Sequence, residues 1–277
     1  MKKILSLLTL ASVFIVAMNA CKKNNSAANG PEIVITKISV DDVLVEEREY
    51  SADKKLHKVY YYDETDGKLQ SSKEFDYDGD GSLKSINFYN AAGTLQLLEE
   101  FTIDAQGKII SKNVVGAVGA EAGKVISHSK FTYNAAGRIS EITFYEKHNS
   151  TDPLQKEVFT YYANGNLKMV EYYNQVTPSM NLGERTEYTP QGKPLPQSLI
   201  KHRGHPDVYN FLPTLTAEKI NYKAFIGLGV GTETENVCSN RQVNENGFIT
   251  AQTITTHQII PVLADIVISM KYEYTEL

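Results

Sequence analysis

Phe131-Thr-Tyr-Asn-Ala-Ala-Gly-Arg-Ile-Ser-Glu-Ile-Thr-Phe-Tyr145 decides how this 277-residue chain is read. It is a strand, a tight turn and a second strand, and versions of it return from about residue 50 to about residue 254. Indexed on the glycine, the copies fall at Gly67, Gly81, Gly93, Gly107, Gly137, Gly165, Gly192 and Gly247. Two residues later stands Leu69, Leu83, Leu95, Ile109, Ile139, Leu167 or Ile249, with Pro194 the exception. Four residues before the glycine comes Tyr77, Tyr89, Ile103, Tyr133, Tyr161, Tyr188 or Val243, often followed by Asp or Asn. The order has a mechanism: Asx at the head of a type I turn caps its own backbone, and Gly supplies the left-handed residue that closes a bulged hairpin. The Tyr and the Leu or Ile are expected to pack at the strand ends. A fainter copy at Tyr50 to Val59 has Lys54 where Gly belongs, which predicts a looser or different turn.

Flanking residues alternate. Leu69, Phe75 and Tyr77 share one face against Gln70, Glu74 and Asp76. Leu95, Leu97, Phe101 and Ile103 do the same against Gln96, Glu100 and Thr102, with Glu99 intruding on the apolar side. One face seeks a core and the other water, as in an antiparallel sheet. Ile33 to Val40 and Val43 to Tyr50, split by Asp41-Asp42, read as an opening hairpin. From Gly67 to Gly107 the turns follow one strand apart; beyond Gly107 the spacing doubles, and Gly116 to Gly123, Asn149 to Pro153 and Asn174 to Gly183 read as the intervening loops. The total is about 15 to 17 strands with no helical stripe. The expected fold is all-β: a large antiparallel up-and-down meander, a curved sheet or barrel-like, forming one repeat-built domain over residues 32–277. Three prolines in Thr189 to Pro196 break the rhythm, and residues 197–240 resemble the template least, so a functional loop would most easily sit there.

Ahead of that domain, Lys2 and Lys3 precede an apolar run from Ile4 to Ala17 and then Met-Asn-Ala-Cys21. This reads as a secretory signal over residues 1–20, too short for a confident membrane span. The small residue before Cys21 resembles the lipobox of bacterial lipoproteins, with Met18 an unusual member, and implies lipidation at Cys21. Residues 21–31 are polar and read as a flexible tether. Removing residues 1–20 takes two lysines from 28 basic residues against 33 acidic ones and leaves a formal charge of −7. So acidic a chain is a poor partner for nucleic acid. With Cys21 acylated, Cys238 stands alone and no disulfide is expected within one chain. The expected location is the cell envelope, lipid-anchored, at the outer membrane, with the periplasmic or surface face open.

Phe75 to Leu83 and Phe131 to Ile139 resemble the tyrosine-aspartate repeats of Rhs and teneurin shells. Together with the lipobox, Tyr209-Asn-Phe-Leu-Pro213 and the terminal Tyr-Glu-Tyr274, the chain is similar to a family of Gram-negative lipoproteins of unknown function with a porin-like fold. That resemblance covers most of residues 45–277 and implies a sheet without implying a chemistry.

Few residues could carry chemistry. Asp76, Asp78 and Asp80, with Gly81, match the first half of an EF-hand loop, but Lys84 at the ninth position repels a cation and Asn87 stands where a bidentate Glu belongs. Calcium there is the alternative to a metal-free turn, and no other cofactor is expected. His202, His205 and Asp207 could hold a transition metal or be ordinary loop residues. Gly227 to Gly231 lacks the Lys-Ser/Thr and the helix of a phosphate loop. Seventeen tyrosines, many in runs, must place some rings outside the core. Tyr61, Tyr162 and Tyr173 are the candidate ligand-facing rings, for a glycan or a protein partner. The expected function is a non-catalytic envelope lipoprotein, not an enzyme, whose sheet is a scaffold or binding module for a polymer, a partner protein or a small ligand. The alternatives are an integral outer-membrane barrel and a metal-dependent hydrolase using residues 202–207.

Overall fold

A computed structural model describes residues 33–146, 150–163, 167–176, 179–190, 215–222, 232–245, 248–260 and 264–276. They form sixteen strands: β1 (Ile33–Val40), β2 (Val43–Tyr50), β3 (Leu56–Tyr62), β4 (Leu69–Tyr77), β5 (Leu83–Asn90), β6 (Leu95–Ile103), β7 (Ile109–Gly116), β8 (Val125–Tyr133), β9 (Ile139–Tyr145), β10 (Gln155–Tyr161), β11 (Leu167–Val176), β12 (Ser179–Pro190), β13 (Leu215–Tyr222), β14 (Thr232–Val243), β15 (Ile249–Ile260) and β16 (Ile266–Glu276). Among the described residues the only helical turn is Gly119–Glu121, between β7 and β8.

Each strand pairs antiparallel with its neighbours in the chain, as an up-and-down meander requires. The ring then closes, because β1 also pairs with β16 from Ile33 opposite Glu276 to Val40 opposite Met270. Of the two shapes the sequence allowed, the structure is the closed barrel, which removes the exposed edges of an open sheet. The seam is reinforced at its rim. Asp41 and Asp42 are both left-handed, with φ of 46° and 68°, as a two-residue hairpin demands. There the Asp41 carboxylate accepts the Ser269 N–H and the Asp41 N–H donates to the Ser269 carbonyl, each at 2.8 Å, while Lys271 pairs with Asp42.

The turns follow the template. Gly137 has φ 75°; its N–H donates to the Asn134 carbonyl, the Asn134 N–H donates to the Arg138 carbonyl, and the Asn134 side chain accepts the N–H groups of Ala136 and Arg138. Gly107 and Gly93 repeat the arrangement with Asp104 and Asn90. The Lys54 copy differs from expectation: Lys54 itself takes φ 66°, and the Ser51–Lys54 and Ser51–Lys55 backbone bonds form as they do around a glycine. The turn is neither looser nor different; the strain of a left-handed Lys is borne in place. A second irregularity recurs past each turn. The register skips one residue directly after the Leu or Ile, at His57, Lys84, Ile110, Ser140, Lys168 and Thr250, so a β-bulge follows every such hairpin. The same skip occurs at Gln70, on the opposite rim, where Leu69 is 36% exposed while Phe75 further along β4 is buried.

Core packing concentrates towards the rim that carries the turns at Lys54, Gly81, Gly107 and Gly137. Leu56, Val59, Phe75, Leu83, Ile86, Ile109, Phe131, Ile139, Ile142, Phe159, Leu167, Val170 and Tyr172 form one buried cluster on the inward face. Ile35, Ile38, Ile249, Ile254, Met270 and Tyr272 form a second one around the seam. Towards the opposite rim the inward residues Tyr61, Phe88, Leu97, Val114 and Phe144 are only half-buried.

Candidate functional site

The inward face carries charge as well as apolar side chains. On β2, Arg48 and Glu46 form an ion pair at 2.5 Å. Opposite Arg48 the register runs through Val59 and Lys73 to Phe88, and opposite Glu46 it reaches Tyr61. Lys73 Nζ lies over both rings, 5.2 Å from the Tyr61 centroid and 5.0 Å from that of Phe88. A cation held between two aromatic faces is a strong local feature. Glu99, the residue that broke the apolar alternation, is 7% exposed and receives Lys112 Nζ at 2.6 Å from the neighbouring strand. Its position is explained by that partner, since a buried carboxylate needs one.

Further round, Ile142, Glu157, Tyr172 and Glu184 stand opposite one another across β9 to β12. Two acids therefore flank Tyr172 on the inward side. Glu157 is 3% exposed. Burial pushes the Glu184 carboxyl up to about 7, against the opposing pull of the Thr186 hydroxyl, which donates to it at 3.1 Å.

The outward face is built of water-compatible pairs. Lys58 meets Glu74 at 2.7 Å, Arg185 meets Glu171 at 2.6 Å and Lys156 meets Glu141 at 3.5 Å. Tyr60 and Tyr62 donate to Glu49 at 3.2 Å and Glu47 at 3.0 Å. Lysines also lie over outward rings, Lys130 over Tyr145 at 5.2 Å and Lys156 over Tyr173 at 5.1 Å, and His128 stacks on Tyr145 with centroids 4.3 Å apart.

The three candidate aromatics are not brought together. Tyr61 faces inward under Lys73, Tyr173 faces outward beside Glu171, and Tyr162 follows β10 with Lys168 at 5.9 Å from its ring. The three aspartates serve the hairpin: Asp76 accepts from Ser85 at 3.1 Å and Asn87 at 2.7 Å, while Asp78 and Asp80 both accept the Ser82 N–H. No group of three or more His, Cys, Asp or Glu side chains placed to hold a metal occurs among the described residues. His202, His205 and Asp207, Gly227 to Gly231, and Cys21 with the signal and tether, lie outside the described residues. Cys238 is half-buried against the seam cluster. The inward charges at Lys73, Glu157, Glu184 and Arg241 escaped sequence reading: Lys73 and Glu157 alternate in phase with Phe75 and Phe159, and only the neighbouring strands show what a charge at such a position meets, while Arg241 stands where two residues of β14 oppose the single Gln252.

No protein-family model matches the chain, and no curated protein matches it. Among solved structures, a porin-like protein from Bacteroides uniformis ATCC 8492 is 12% identical over 89% of this chain and 100% of that one, with a TM-score of 0.49. A porin-like protein from Bacteroides vulgatus ATCC 8482 is 15% identical over 88% and 99%, again at 0.49. The TcdB2-TccC3-TEV structure is matched at 11% identity over 82% of this chain and 13% of that one, with a TM-score of 0.31. At these identities nothing about activity transfers.

Proposed function

We propose that this protein is a non-catalytic, lipid-anchored envelope protein whose barrel stands in water and binds a small ligand through its inward face. The observation that carries the reading is the outward face, where Lys58–Glu74, Arg185–Glu171 and the Tyr60–Glu49 and Tyr62–Glu47 hydrogen bonds occupy positions a lipid-facing strand would fill with apolar groups. Such a face disfavours the integral-barrel alternative, so the membrane contact falls to an acylated Cys21. Lys73 between Tyr61 and Phe88, at the half-buried end of the interior, supplies the aromatic and cationic contact that a small ligand uses.

The test is fractionation. Cys21→Ser moves the protein from the membrane to the detergent-free soluble fraction and abolishes labelling by a radioactive fatty acid. If the variant still needs detergent to stay in solution, the barrel itself is embedded and the reading fails.

A further inference from the structure

Arg241 is the one strongly basic side chain among the described residues whose burial has no local explanation. It sits in an irregularity of β14: Ser239 pairs with Thr253 and Gln242 with Ala251, so Asn240 and Arg241 together oppose the single residue Gln252. Asn240 is left-handed, with φ 49°. A bulge with a strained residue re-aims the side chain that follows it, and such devices gather at functional sites. Here the side chain is brought within electrostatic reach of Tyr272, which is 3% exposed and lies in the seam cluster with Ile254 and Met270. The Tyr272 hydroxyl is already occupied, accepting from Gln252 Nε2 at 2.8 Å and directed at Met270 Sδ at 3.6 Å.

Nε, Nη1 and Nη2 of Arg241 are all buried, and none has a hydrogen-bond partner. Every other inward cation described above has a carboxylate or aromatic rings: Arg48 has Glu46, Lys112 has Glu99, and Lys73 has Tyr61 and Phe88. A guanidinium cannot shed its proton at physiological pH, so an unpaired one in the interior is costly unless an anion arrives from outside. Its planar fork matches the two oxygens of a carboxylate or phosphate.

We propose that Arg241 is the anchor of an oxyanion site inside the barrel, taking the carboxylate or phosphate group of a small ligand. The bulge at Asn240 holds the fork inward, close to Tyr272 of the buried seam cluster, where low exposure makes a charge-assisted pair strong. This deepens the binding reading and rests on it. The two fail separately, because the anion response below is independent of whether Cys21→Ser frees the protein from the membrane.

The experiment is thermal unfolding of the full chain in detergent, followed by circular dichroism, with sodium phosphate or sodium acetate titrated against sodium chloride at equal ionic strength. The wild type gains a saturable rise in Tm with phosphate, acetate or both, roughly 5–10 °C near a hundred times the dissociation constant. A response to phosphate alone assigns a phosphate ligand, and one to acetate alone a carboxylate ligand. R241L loses at least tenfold in anion affinity yet, without anion, unfolds no earlier than the wild type, because a buried unpaired charge has been removed. R241K keeps the charge without the fork and falls between the two. No saturable rise in either salt, an equal rise in R241L, or an R241L that unfolds earlier without anion overturns the proposal, the last because it reveals a structural partner.

Discussion

The hydroxyl of Tyr133, at the end of β8, donates to the main-chain carbonyl of Ile109, at the start of β7, at 2.7 Å. In repeat terms the residue four before one glycine is tied to the residue two after the preceding one on the same rim. Tyr77 does the same to Leu56 at 2.8 Å, Tyr161 to Ile139 at 2.7 Å and Tyr274 to Ile249 at 2.7 Å. The residue before each of those carbonyls covers the ring: Lys55 over Tyr77, Lys108 over Tyr133, Arg138 over Tyr161, with Phe248 stacked on Tyr274. Burial pushes the phenols of Tyr77 and Tyr274 upward, which keeps them as donors. Hydroxyl–carbonyl links of one kind therefore recur round one rim, interrupted where Ile103 stands in place of the tyrosine.

Tyr133→Phe removes one link while leaving the ring in place. The Ile109 carbonyl then loses its donor, and stability falls by about 1 kcal/mol, with Tm lowered by roughly 2–4 °C. Tyr133→Phe and Tyr161→Phe combined should lower Tm nearly additively if the links act independently. A urea midpoint for Tyr133→Phe equal to that of the wild type would remove the energetic role of these links.

Lys54 adopts φ 66° at a position that the other copies give to glycine. Lys54→Gly relieves that strain, with a gain of about 1 kcal/mol. Gly137→Ala imposes the same strain at φ 75°, with a loss of about 1–2 kcal/mol. Opposite shifts of the denaturant midpoint check the pair.

These turns were legible because Asn134, Gly137 and Ile139 act locally, within a few residues of sequence. The tyrosine was legible only as a packing residue; its bond to a carbonyl 24 residues earlier depends on two strands being in register. Closure through β1 and β16 was legible only as one of two shapes, since Ile33 and Glu276 meet only after every intervening hairpin has curved the same way. Arg241 reads in the sequence as an ordinary surface position in a polar strand, and only the bulge at Asn240 makes it an inward one.

Glu99 and Lys112 test how the inward charges are maintained. Their side chains are 9% and 14% exposed. Lys112→Met strands a buried carboxylate and costs about 3–5 kcal/mol, whereas the double variant Glu99→Leu/Lys112→Met removes both charges and recovers most of that loss. The coupling is measured by a double-mutant cycle of urea unfolding. A double variant no more stable than Lys112→Met would show that the pair is valued for shape rather than charge.

Glu184 sets a pH dependence. Its carboxyl titrates near 7 in the folded chain against an ordinary value of 4.5, because burial disfavours the anion. Between those values the folded state holds a proton that the unfolded state has released. Stability from this group is therefore full below pH 4.5, declines as pH rises towards 7 and is flat above it. Allowing for its partial access to solvent, the loss is on the order of 2 kcal/mol. Glu184→Gln keeps the Thr186 contact and cannot ionise. It should match the wild type at pH 4.5 and exceed it at pH 8, with the urea midpoints of the two proteins diverging across that interval. Parallel profiles would mean that the carboxyl is ionised at no cost, with water or a cation reaching it between Tyr172 and Thr186.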